Sequence, residues 1–308
     1  MSLAAIGQTI VVMLLWASCF PLITIGIDYA PHLTFAALRA EIAGASLIGL
    51  AVLLGKPRPR GARNWLMLGI VGFGATSLGY FGMFHAAEFV SPGIATVIAN
   101  TQPLLAAALA ALLLDERLSI RKALGLALGF AGILAIAAPQ LTSSAGNAYA
   151  FGFALIIMAA LGVTISNVTI KKIAGGIDPL FAMGIQMLVG GWPLVLIAGL
   201  TEEPINIVWT WEFIAALLLL SLLGSALVYW LWFKILEDVP LTSANAFSFL
   251  IPMFGMLIGA LFFGETFGWV ELVGITLTLV GIGLVASPHS EEPRRRPAES
   301  EFCRERRK

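Results

Sequence analysis

Residues able to do covalent chemistry are few and scattered in this chain. His32, His85 and His289 stand far apart among 308 residues, and no His/Glu pair has the spacing of a metal site. Cys19 and Cys303 form no disulfide or ligand framework, and no Gly-x-x-x-x-Gly-Lys-Ser/Thr loop is present to hold nucleotide phosphates. What remains is polar and aromatic groups inside long apolar runs, and their chemistry is binding. Arg39 and Glu41 are the full charges well inside such a run; a charge there is costly enough to be read as functional by default. Glu41, a carboxyl able to take up and release a proton, is the coupling candidate. Arg39 lies about 9 Å from one helix end at 1.5 Å per residue, near enough to snorkel outward, and reads as structural.

Asn100-Thr101-Gln102 stand directly before Pro103, and Asn245 and Ser248 precede Pro252. Three consecutive polar residues spread over about 200° of helix, so at least one must face away from lipid. Each proline frees the carbonyl four residues earlier, which in lipid needs a partner or a water-lined cavity. Trp16, the pair Tyr80 and Phe84, and Tyr229, Trp230 and Phe233 supply aromatic surface. Tyr80/Phe84 and Tyr229/Phe233 are four apart, hence on one helix face, suited to an apolar or cationic solute. The expected cavity is lined by Trp16, Tyr80, Phe84, Asn100, Gln102, Pro103, Tyr229, Trp230, Asn245, Ser248 and Pro252. Interhelical hydrogen bonding and an interfacial aromatic belt are the competing readings; the belt suits Trp209, Trp211 and Trp269 better.

The elements carrying these groups follow from composition. Hydrophobic residues make up 59% of the chain, charged residues 12%, and mean hydropathy is +0.93, whereas a soluble domain carries about 25% charged residues. Charge-poor runs of about 20 residues, enough to span a hydrocarbon core, fall at 3–27, 33–54, 65–86, 92–113, 121–138, 150–170, 179–200, 212–233, 241–263 and 268–287. The expected fold is an all-α polytopic membrane protein of ten transmembrane helices. Lys56, Arg58, Arg60, Arg63, Arg117, Arg121, Lys122, Lys171, Lys172 and Lys234 all fall at one end of the spans; Asp28, Glu88, Glu202, Glu203, Glu212, Glu265 and Glu271 fall at the other. The positive-inside rule then puts both termini in the cytoplasm. The first span has no basic n-region or small-residue cleavage site and reads as retained; the mixed-charge tail 289–308 reads as disordered.

Shifting the sequence by 149 residues lays 78–139 on 227–288 without a gap. Tyr80 meets Tyr229, Phe84 meets Phe233, Pro103 meets Pro252, Glu116 meets Glu265, Gly125 meets Gly274 and Gly132 meets Gly281. Five spans per half is an odd number, so the halves, 1–140 and 148–288, are expected to be inverted repeats, an architecture of secondary transporters. The glycine ladders Gly125/Gly129/Gly132 and Gly274/Gly281 are expected to bring the fifth and tenth spans close together.

These residues carry a family resemblance. Residues 15–21 (Leu-Trp-Ala-Ser-Cys-Phe-Pro), Leu38-Arg39, the stretch from Ser91 to Pro103, Leu114-Asp-Glu116 and Gly125 recur in part as Ser243-Ala244 to Pro252, Gly264-Glu265 and Gly274. On them the chain resembles the drug/metabolite transporter superfamily, in its EamA-type ten-helix branch, over nearly its whole length. Ala17 replaces the usual glycine, and 152–170 lacks a tryptophan. The resemblance implies a secondary active transporter of the inner membrane, exporting amino acids, their derivatives or other small organic metabolites. Its partners would be a small-molecule substrate and the lipid bilayer, with no nucleic acid, cofactor or metal; monomer and oligomer both stay open. The alternative is a membrane channel or a non-transporting sensor protein. A channel, though, would need a filter ring of carbonyls or charges, and an enzyme would need a positioned nucleophile or metal cluster.

Overall fold

The computed structural model of the chain describes residues 3–102, 104–105, 120–141, 146–202, 205–239, 244 and 246–286. Pro103, Asn245, most of the second half of the fourth expected span and the tail 289–308 lie outside the described residues. Within them all regular structure is helical. The helices are α1 (Leu3–Ala17), α2 (Cys19–Ile27), α3 (His32–Leu53), α4 (Ala62–Val71), α5 (Gly79–Ala86), α6 (Pro92–Ala99), α7 (Ile120–Leu141), α8 (Gly146–Ile173), α9 (Pro179–Thr201), α10 (Trp211–Leu218), α11 (Val228–Asp238), α12 (Leu250–Phe263) and α13 (Trp269–Ala286). A π-helical segment, Gly72–Leu78, joins α4 to α5, a second, Leu219–Leu227, joins α10 to α11, and one 3₁₀ turn, Ala246–Phe249, precedes α12.

Among the described residues, six stretches are long and apolar enough to cross a membrane: Ala5–Ile27, His32–Leu53, Ala62–Ala86, Gly146–Ile173, Pro179–Thr201 and Trp211–Asp238. They fall on the expected first, second, third, sixth, seventh and eighth spans. Shorter apolar helices, Ala123–Ile136, Leu250–Phe263 and Trp269–Leu284, fall on the fifth, ninth and tenth. Local chemistry sets the ends. Asp178 caps α9, accepting from Leu180 N–H at 3.0 Å beside Pro179 at the first helical position. Gly264, at φ 63°, turns the chain after α12 where a side chain is disfavoured. Lys171, in the last turn of α8, donates to the carbonyls of Leu236 at 2.6 Å and Val239 at 3.1 Å, tying together the end where the basic loops lie. Leu53, Leu200 and Phe262 are exposed on the outside of the bundle, as lipid-facing residues are.

Helices that the expected repeat would match lie side by side: α3 on α9, α6 on α12 and α7 on α13. The α7–α13 seam is closed by glycine. A Cβ at Gly132 would stand 2.5 Å from the Gly274 carbonyl oxygen, and one at Gly281 2.5 Å from the Gly129 nitrogen, so the backbones touch. The first π segment is wedged between α8 and α9, with Gly74 against Gly162 and Gly72 against Gly190. The second runs beside Cys19 of α2 and Arg39 of α3.

Candidate functional site

Apolar helices that pack as pairs leave a gap wherever bulky polar side chains meet between them. Such a gap lies at the centre of the bundle, lined from both halves, with a volume of about 90 Å³, several times what one water needs. One wall is aromatic. The Trp16 ring packs edge-on against Trp232 at 5.1 Å and Tyr229 at 6.1 Å between centroids. Tyr229 and Trp232 are three apart on α11, hence on one face. A second wall is amide. Asn167 of α8 accepts from the Trp232 indole N–H at 3.0 Å and donates to the Gln102 side-chain oxygen at 3.2 Å. Asn100 donates back to the Thr96 carbonyl at 3.1 Å, one turn earlier on α6.

The third wall holds a charge. Arg39 is 2% exposed. Its Nε donates to Ser225 Oγ at 2.8 Å, and Nη2 donates to the Gly224 carbonyl at 3.1 Å and to Cys19 Sγ at 3.4 Å. The guanidinium carbon lies 4.2 Å from the centroid of the Tyr80 ring, whose hydroxyl is 2.8 Å from the same Ser225 Oγ. Three of these contacts come from or beside the second π segment, which turns Gly224 and Ser225 toward α3. π segments recur at functional sites because they reorient backbone and side chains inside a helix. The outward snorkelling expected for Arg39 does not occur: the neighbouring helices close over it.

Trp16, Tyr80, Asn100, Gln102, Tyr229 and Ser248 lie on the cavity wall. Phe84 and Trp230 do not. Phe84 stacks edge-on against Phe35 at 5.1 Å in the apolar cluster that also holds Tyr80, and Trp230 sits by Lys234 and Asp238 in a different groove. Pro252 is buried in α12 without reaching the wall. Glu41 faces the α3–α9 seam, where a Cβ on Gly191 would meet its Oε1 at 2.6 Å; that oxygen is buried with no hydrogen-bond partner. Sequence reasoning missed Met13, Met83, Asn167 and Trp232. From α8, which lacks a tryptophan, Asn167 and small apolar residues reach the wall, with no aromatic of α8 among the described lining residues.

Glutamates of the second half tie down helix starts of the first, at the end where the acidic loops lie. Glu265 accepts from Gly93 N–H at 2.9 Å and Ser91 Oγ–H at 3.2 Å, capping α6 one turn from the Thr96 wall. Glu202 accepts from the N–H groups of Leu33 and Thr34 at 2.8 Å, capping α3. His32 lies between Glu88 at 2.7 Å and Glu202 at 3.6 Å. A carboxylate at a helix N-terminus makes charge-assisted bonds and meets the positive end of the helix dipole. No group of three or more side chains among the described residues has the arrangement of a metal site.

Comparison with known proteins places this geometry. The pattern of a family described as the EamA-like transporter family matches residues 3–138 and again 150–287. The chain is 32% identical over 263 residues to a WAT1-related chloroplastic protein of Arabidopsis thaliana, across 83% of this chain and 63% of that protein's length. It is 27% identical over 286 residues to a probable amino-acid metabolite efflux pump of Salmonella typhimurium, covering 89% of this chain and 91% of the other. One solved crystal structure superposes with a TM-score of 0.65 at 18% identity, over 92% of this chain and 96% of that one, a likeness of fold.

Proposed function

Since the chain belongs to the EamA-like transporter family, we propose that it is a secondary active transporter that exports amino acids, their derivatives or other small organic metabolites by alternating access. The observation that carries this reading is the central cavity, walled by both halves and floored by the amide chain Gln102–Asn167–Trp232. In this reading ten helices form two inverted five-helix repeats in a bacterial-type inner membrane, with both termini cytoplasmic. Three observations support the repeat. The family pattern matches twice, like helices pair across the halves, and the π segments end at Leu78 and Leu227, the same 149 residues apart as the repeat. A thermal-shift screen on purified protein, followed by counterflow of any hit in proteoliposomes, tests the reading. Saturable counterflow is the expected result; a conductance without saturable exchange would replace the transporter with a channel.

In the proposed orientation the acidic end faces outward, and the Glu265 cap holds the fourth and ninth spans together on that side. Glu265→Gln keeps the shape but weakens two charge-assisted hydrogen bonds. A loss of about 0.7–1.4 kcal/mol corresponds to roughly three- to tenfold in an opening equilibrium. A cysteine at Asn100 should therefore be labelled from outside by an impermeant reagent three- to tenfold faster in the Glu265→Gln background. An unchanged rate would mean the cap is not part of the closure.

A further inference from the structure

We propose that Arg39 is the anion subsite of this cavity and that the preferred solute is an organic carboxylate of net negative charge with a compact apolar or aromatic body. The proposal rests on the transporter reading and names its substrate class. Arg39 is buried, lies on the cavity wall, and its Nη1 has no hydrogen-bond partner. A guanidinium presents five N–H donors in a fixed fork; here Nε and Nη2 are engaged and the Nη1 edge is not. No carboxylate among the described residues lies within ion-pair distance of it. The acid two residues on, Glu41, faces α9 instead.

A buried charge without a partner is among the most costly arrangements in a fold, and leaving its donors unsatisfied adds to the cost. The Tyr80 face at 4.2 Å offsets part of this. A side chain kept only to brace α3 against the second π segment would need no charge. The first π segment meets α9 through neutral groups. Thr76, in the first π segment, donates to Gln186 of α9 at 2.9 Å, amide in place of guanidinium. Among the described lining residues Arg39 carries the one full charge, which suits a solute carrying one anionic end. A carboxylate oxygen accepting from Nη1, the nitrogen whose hydrogens have no partner, makes a charge-assisted hydrogen bond that completes the guanidinium's set. Trp16 and Trp232 offer the rest of the molecule an apolar wall. An ammonium group finds no acid on the described wall, only ring faces and amide oxygens.

The test uses the purified full-length protein and three probes of nearly equal shape: phenylacetate, phenylacetamide and phenethylamine. Tryptophan fluorescence and melting temperature report binding; proteoliposome counterflow of phenylacetate reports transport. Phenylacetate should bind at least tenfold tighter than the amide and the amine. Arg39→Gln should abolish that preference, while Arg39→Lys, which keeps the charge and loses the fork, should retain part of it. Wild-type protein alone keeps the proposal falsifiable if Arg39→Gln fails to fold. Equal binding of acid and amide, tighter binding of the amine, or no binding of the acid overturns it. Anion-selective binding without counterflow supports the anion subsite and counts against the transporter reading; counterflow of neutral or cationic solutes without anion preference does the reverse.

Discussion

Gly281→Val leaves little folded protein in the membrane. A Cβ at this position would lie 2.5 Å from the Gly129 nitrogen and 2.6 Å from the Gly125 carbonyl oxygen. Those are backbone atoms of α7, with no rotamer to change, so α13 must move away by about an ångström. Overpacking commonly costs about 1–3 kcal/mol where side chains can yield; a rigid backbone puts this case at the upper end or beyond. Helices in lipid associate through close packing more than through solvent exclusion, so opening the seam also forfeits the dispersion contacts along its length. Gly281→Ala should fall between valine and wild type in yield and melting temperature. Gly199→Val supplies the control, since nothing lies within 4 Å of a Cβ there. Wild-type yield and melting temperature for Gly281→Val, measured by fluorescence-detected gel filtration of detergent extracts, would show that the seam is not closed.

Trp232→Ala is expected to lower stability by about 3–5 kcal/mol, the usual cost of emptying a large buried aromatic site, and to abolish solute binding. The ring is 1% exposed and supports Trp16 edge-on. Its removal also leaves the Asn167 oxygen without the indole donor. Trp232→Phe separates the two effects. It keeps most of the ring and should preserve the fold, but the lost N–H leaves a buried acceptor unpaired, a penalty of about 1–3 kcal/mol. Melting temperature should therefore fall modestly, while affinity in the binding assay falls about tenfold as Asn167 and Gln102 reorient. Equal affinity for Trp232→Phe and wild type would remove the amide chain from the site.

The spans were legible because lipid imposes a one-dimensional rule: long runs without charge become helices, and Lys and Arg gather at one end. The glycine ladders were legible for a similar reason, since small residues in register have few other uses in apolar helices. The face each aromatic presents was harder to read. On α11 the spacing from Tyr229 to Phe233 suggested one face and Trp230 was included as a further ring, yet the cavity meets Tyr229 and Trp232, three apart. On α5 it meets Tyr80 and Met83 while Phe84 turns to Phe35. At 100° per residue, positions i+3 and i+4 lie on either side of position i, and spacing alone does not say which of the two the cavity meets. Asn167 was overlooked as one amide in a 28-residue helix, although a polar residue deep in an apolar span is itself a signal. Arg39 was read by its distance from the helix end, a measure blind to the capping Glu202 and to His32, whose ring packs on His85 at 3.9 Å between centroids, at that end.

The lone guanidinium also bears on energy conservation. A hydrated cavity that opens in turn to both sides of a membrane risks passing protons along a file of waters, which would short-circuit the gradient the cell maintains. A fixed positive charge opposes that leak. At about 6 Å and an effective dielectric constant of about 20, it raises the energy of a hydronium ion by about 2.8 kcal/mol, roughly a hundredfold in its local concentration. The barrier is present when the cavity is empty, the state in which waters fill it and leakage matters most. An anion bound as proposed would neutralise the barrier and at the same moment displace the water through which a proton would travel.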